Sequence, residues 1–222
     1  QGIDLVALLG MHYPGSDKFM LHQVVTHMFM HGGLMHLFFN MFALWMFGRV
    51  LESVWGSKRF LVYFFVTGLG AIALHMFVTH LEISSMQNTI EAFRNTPSPE
   101  VLDQFIKNNL PNPSAQVRDF INTWYDNPGN EIYASEGLDL MNRILEMRMG
   151  IPTVGASGAV FGVLLAFGVL FPNTRLMLLF PPIPIKAKYF VIGYGLLELY
   201  LGFSQPGSNV AHFAHLGGML FG

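Results

Sequence analysis

The chain has 222 residues, 52% of them hydrophobic and 12% charged, with 21 phenylalanines and a formal net charge of −2. So large an apolar surplus calls for lipid to cover it, and the near-neutral balance offers no basic patch for nucleic acid. With no cysteine in the sequence, disulfides, thiolate metal sites and cysteine catalysis are excluded.

In chain order, residues 1–10 hold too few apolar side chains to span, and residues 1–30 show no charged stretch followed by an apolar one, so no signal peptide is read there. Residues 34–47 form a first span, which needs 26–33 added to reach the ~20 residues of a crossing. Residues 60–78 form a second. Residues 81–150 differ in kind: ten acids and five bases leave them at −5, and prolines recur. Within them apolar residues repeat at helical spacing as Val101, Leu102, Phe105, Ile106, then Val117, Phe120, Ile121, Trp124, then Leu138, Met141, Ile144, Leu145. Ser98-Pro99-Glu100 has the pattern of a helix N-cap, a first-turn proline and an acid suited to the dipole. A water-exposed helical insertion is expected. Residues 154–171 and 189–203 form third and fourth spans. A fifth begins near Asn209 and runs to Gly222, about 21 Å of helix at ~1.5 Å per residue, short of a full crossing.

Charge orients these spans. Arg49, Lys58 and Arg59 separate the first two, Arg175, Lys186 and Lys188 separate the third and fourth, and Glu52 is the one acid among them. The positive-inside rule makes both loops cytoplasmic. The start of the first span, the insertion, Ser157 and residues 204–210 then face outside. The chain divides into 1–80 (outer loop and two spans), 81–150 (acidic insertion) and 151–222 (three spans).

The outer ends of three spans carry polar groups that are costly at membrane depth. "HGGLMHLFFNMFALW" contains His31, His36 and Asn40, the last two on one helical face. "GASG" puts Ser157 between Gly155 and Gly158, and "AHFAHLGG" puts His212 and His215 three apart. A serine becomes a nucleophile when an imidazole takes its proton. At a helix N-terminus its free N–H groups suit an oxyanion, to which His36 and Asn40 could also donate. Gly155 and Gly158 would clear room for a substrate backbone. Each piece alone has a plainer reading. Ser157 with Gly158 and Gly162 is more often packing surface, and His212 with His215 could be a metal pair lacking its usual carboxylate or third histidine. The combination is what points to a serine hydrolase.

In this order the three segments resemble the signature segments of rhomboid intramembrane serine proteases. The resemblance implies an all-α, polytopic six-helix bundle, with five spans visible here and the first core helix absent. It implies a Ser157–His215 dyad, His36, Asn40 and the Ser157 N–H as oxyanion donors, His31 supporting the loop, and Gly218 and Gly222 packing the last helix on the serine's helix. His212 carries no catalytic role. No metal or cofactor is implied. The partners implied are transmembrane protein substrates in the lipid bilayer, with no nucleic acid, and the location is the bacterial cytoplasmic membrane with site and insertion facing outside. With no carboxylate in the set, helix packing alone would orient His215.

The sequence departs from the family in lacking a Trp-Arg pair ahead of "THMFMHG", where "MLHQVV" stands. Glu198 matches no catalytic position and is expected to hydrogen-bond structurally in its protonated form. His22, His27, His75 and His80 are expected at the interface. Two other classes compete. A non-cleaving rhomboid-like client binder typically lacks the serine or the histidine. A haem protein would need matched axial histidines, which His22/His36 and His212/His215 do not offer. Deleting 81–150 is expected to change substrate range or rate; loss of fluorophosphonate labelling in a well-folded deletion variant would contradict that.

Overall fold

The computed structural model describes residues 4–177, 182–205 and 210–222. It opens with a short helix α1 (Leu5–Leu9), capped by the Asp4 carboxylate, which accepts from the Val6 and Ala7 N–H groups. A loop leads to α2 (Gln23–Thr26) and a 3-10 turn, His27–Phe29. Gln23 holds this region together. Fully buried, its amide donates to the Leu8 and Lys18 carbonyls at 3.3 and 3.0 Å and accepts from the His12 and Met20 N–H groups at 3.3 and 3.1 Å. One side chain thereby uses both donors and its acceptor oxygen twice. A glutamine ties the loop together next to the place where the Trp-Arg pair is missing.

The first long helix starts later than expected. Residues 26–33 do not extend it; α3 (Leu34–Ala43) follows an extended Gly33 and passes through a π-turn, Leu44–Gly48, into α4 (Arg49–Trp55). The extra length lies on the other side, so Arg49 and Glu52 are helical rather than in a loop. Gly56, at φ 78°, makes the turn in a left-handed conformation that suits glycine.

Helix α5 (Ser57–Asn95) then runs unbroken for 39 residues. That is roughly 58 Å, nearly twice the ~30 Å of a hydrocarbon core. Residue 80 marks no break, since the second span continues into the insertion. Three helices complete that insertion: α6 (Pro99–Asn109), α7 (Ala115–Asp126) and α8 (Glu131–Met149). Ser98 caps α6 by accepting from the Val101 N–H. Ile90 and Phe93 of α5 pack with Leu102, Phe105, Ile106, Ile121, Trp124, Met141 and Ile144 in a core of its own. Arg148 of α8 pairs with Glu82 of α5 at 2.6 Å.

Helix α9 (Ser157–Leu170) is buried on nearly all sides, the mark of a central helix. A hairpin of β1 (Arg175–Met177) and β2 (Pro184–Lys186), with Leu176 opposite Ile185, leads to α10 (Ala187–Ser204), and α11 (His212–Leu220) ends the chain. The expected span start at Asn209 lies outside the described residues. Among the described residues two helices, Leu34–Trp55 and Ser57–Asn95, are long and apolar enough to cross a membrane alone, and Ser157–Leu170 is a shorter apolar helix. The expected count of five is therefore not met by length and hydropathy, because α9 and α11 are short and α10 carries Glu198. Leu34, Phe38 and Trp45 on α3–α4, Leu61 and Val62 on α5, and Ile192 and Leu196 on α10 are all exposed, leaving an apolar outer surface around the buried α9.

Replacing Gln23 with alanine leaves buried backbone groups without partners and is expected to destabilise the fold by about 3 kcal/mol. A thermal melt in detergent measures it, and an unchanged midpoint would show that the loop is held by something else.

Candidate active site

Ser157 is the first residue of α9, and its position is set from the α2 side. The Gly155 N–H donates to the His27 carbonyl at 2.9 Å, while Met11 and Thr153 exchange both backbone bonds at 2.9 and 2.8 Å. His27, buried rather than interfacial, donates from Nδ1 to the Gln23 carbonyl. A chain of contacts thus runs from Gln23 through His27 to the turn before the serine. Gly155 has φ 126°, and a Cβ there would meet His36 Cε1 at 2.8 Å. The turn needs glycine both for its backbone angle and for the approach of His36.

The last helix comes in from the other side with unusual closeness. A Cβ on Gly218 would run into the Gly158 carbonyl, and one on Gly162 would sit 2.8 Å from the Gly218 carbonyl. Gly158 is closed off by Ala71 and the Ala214 carbonyl, so it serves helix packing and does not clear space for a substrate. Gly222 faces the Tyr63 hydroxyl of α5 rather than the serine's helix; Tyr63 itself donates to the Gly162 carbonyl at 2.8 Å.

This packing brings His215 Nε2 to 2.9 Å from Ser157 Oγ. The Phe161 ring, one turn after Ser157, stacks on the imidazole at 4.2 Å between centroids and 7° between planes. His36 and Asn40 line the same cavity of about 1230 Å³ as Ser157 and His215. Asn40 is buried and spends one amide N–H on the His36 carbonyl at 2.8 Å, keeping the second. His36 Nδ1 accepts from the Gly32 N–H at 3.4 Å, and His31 stands edge-on to the His36 ring at 5.2 Å. His75 also lines the cavity, its Nε2 at 3.0 Å from Thr153 Oγ1, and so sits inside the bundle; His80 meets the Tyr13 hydroxyl and His22 the Leu8 carbonyl. The Arg148–Glu82 pair lines the cavity too, so the insertion's base forms part of its wall.

One neighbour was unexpected. Glu198, 4% exposed in α10, places Oε2 at 2.9 Å from His215 Nδ1 and 2.7 Å from His212 Nδ1. The imidazole is therefore oriented by a carboxylate, not by packing alone, and two donors converging on one oxygen fit the ionised carboxylate rather than a protonated one. A sequence signal existed. Gly195, Glu198 and Gly202 share one face of α10, and a Cβ on Gly202 would be 3.4 Å from His212 Cβ. Glu198, His212 and His215 are also the one trio among the described residues with metal-ligand atoms close together. Their contacts have hydrogen-bond lengths, and a zinc ion ~2.0–2.2 Å from each ligand would have to take the place of both bonds.

A profile of the Rhomboid domain matches residues 18–85 and 132–222. The chain belongs to the rhomboid family. Rhomboids are integral membrane proteins, and the family is one of intramembrane proteases. Residues 86–131 fall between the two matched stretches. The chain is also similar to the rhomboid protease GluP of Bacillus subtilis (strain 168), 39% identical over 56 residues, which are 25% of this chain and 11% of that protein. No solved structure matches the chain significantly.

Gly218→Val is expected to push α11 off α9 at a cost of about 1–3 kcal/mol or more. A lowered melting midpoint together with slower fluorophosphonate labelling of Ser157 would register both effects; a variant that melts and labels like the wild type would mean the helices need no such contact.

Proposed function

We propose that this rhomboid is an active serine endopeptidase that cleaves membrane-protein substrates in or next to their transmembrane segments. The observation that carries this reading is the 2.9 Å approach of His215 Nε2 to Ser157 Oγ at the head of a buried helix. Family membership and the protease named among its relatives support it.

In the proposed reaction an unwound stretch of substrate enters the cavity and presents its scissile carbonyl to Ser157. His215 takes the hydroxyl proton as Oγ attacks. The Ser157 N–H at the start of α9, the free amide N–H of Asn40 and the His36 ring stabilise the oxyanion, each donor worth ~2.7–4 kcal/mol. His215 then gives its proton to the leaving amine, and water hydrolyses the acyl-enzyme with His215 again as base. His31 backs His36, while Gly155, Gly158, Gly218 and Gly222 act through packing and backbone shape. The chemistry uses no metal or cofactor. The six-helix bundle, the outward-facing site and the bacterial cytoplasmic membrane belong to the same proposal and rest on the family and on the basic residues at one end of the spans. The insertion is read as a folded cap whose base shapes the cavity rim. A non-cleaving client binder is the lesser reading, because serine and histidine are both present and in contact.

Proteoliposomes carrying a single-pass substrate test this. Ser157→Ala and His215→Ala are expected to lower cleavage at least ~10³-fold, and Asn40→Ala ~10²–10³-fold in kcat. Cleavage that persists in both dyad variants would end the protease reading.

A further inference from the structure

We propose that Glu198 is a positioning residue that makes Ser157–His215 part of a three-membered Ser-His-Glu triad, with His212 as the carboxylate's second anchor. This rests on the protease reading above and deepens it.

The hydrogen-bond roles follow from chemistry. For Ser157 to lose its proton to His215, Nε2 must accept, so the ring's own proton lies on Nδ1. Nδ1 is the atom that faces Glu198 Oε2 at 2.9 Å. The carboxylate selects the tautomer the reaction needs. It also completes the ring's orientation: stacking on Phe161 sets the plane of the imidazole, and the in-plane bond to Oε2 fixes how the ring is turned within that plane.

His212 answers the problem of burial. An ionised carboxylate with 4% exposure is costly unless donors surround it. His212 supplies a second N–H at 2.7 Å, and its Nε2, also buried, has no hydrogen-bond partner among the described residues. It anchors Glu198 through that 2.7 Å bond. Gly195 and Gly202 flank Glu198 on the same face of α10 and let α11 come close enough for both bonds.

In the reaction the Ser157 O–H bond breaks as the Oγ–carbon bond forms, and the proton moves to His215 Nε2. The imidazolium then faces the carboxylate across the Nδ1–H bond. Glu198 stays ionised throughout and takes no proton, holding the ring and stabilising the charge that appears on it.

Three measurements on the full chain test the assignment. Glu198→Gln in proteoliposomes is expected to lower kcat ~10²–10⁴-fold with KM changed less than ~3-fold, as loss of an orienting carboxylate does. Glu198→Asp should restore at least ~10-fold of that loss. In ¹⁵N-histidine NMR of the wild type in micelles, His215 should carry its proton on Nδ1 with a far-downfield proton resonance, absent in Glu198→Gln. A Gln variant that cuts within ~3-fold of wild type would overturn the proposal. So would an Nε2-protonated His215 in the wild type, an outcome that needs no variant to fold. A wild type that neither cuts nor labels with fluorophosphonate would instead remove the protease reading, leaving the tautomer measurement to stand separately.

Discussion

Everything near Ser157 depends on how closely α11 can approach α9. Inside a bilayer no hydrophobic effect drives helices together, since lipid tails are as apolar as the side chains. Close contact of backbones has to supply the attraction, and only residues without bulk permit it. Gly158, Gly162 and Gly218 meet almost carbonyl to Cα. That distance sets where His215 stands relative to Ser157, so catalytic geometry and helix packing are set by one constraint.

A second constraint acts from outside the bundle. Polar groups of an irregular segment near the membrane need partners within the protein. Gln23 supplies four of them, and the turn it stabilises passes its order through His27 to Gly155. The serine is thus gripped by a loop on one side and by a helix on the other. Neither grip uses an atom of the reacting groups, which leaves Oγ and Nε2 free for each other.

Some of this was legible in the sequence and some was not, for physical reasons. Ser157, His215, His36 and Asn40 stood out because polar groups at membrane depth are rare enough to be noticed one by one. The insertion helices were readable from apolar spacing and from Ser98-Pro99 at a helix start. The span boundaries misled because hydropathy marks where a helix is apolar, not where it stops: α5 simply becomes amphipathic past Val78. The first span was extended the wrong way because residues 26–33 were counted as one helix with it, whereas the helical turn ends at Phe29 and both Met30 and Gly33 are extended before α3. Glu198 was noticed as an anomaly, but its purpose required knowing that Gly195 and Gly202 bring α11 against that face, a relation between two helices that no single stretch contains. Gly222 was assigned by analogy of spacing, and the chain's turn after α11 gives it Tyr63 as a neighbour instead.

Helix α5 has a mechanical consequence. A rod without a break has a single tilt, so its lower turns cannot lean in lipid without its upper turns leaning as well. The rod is roughly 58 Å long, and its turns beyond the apolar part carry the insertion's core on Ile90 and Phe93. A thinner or thicker bilayer is accommodated partly by tilt, and a change of ~10° would sweep the far end sideways by about 5 Å. The Arg148–Glu82 pair sits where that lever leaves the cavity wall. A tilt of the rod therefore moves the insertion and this part of the cavity wall together.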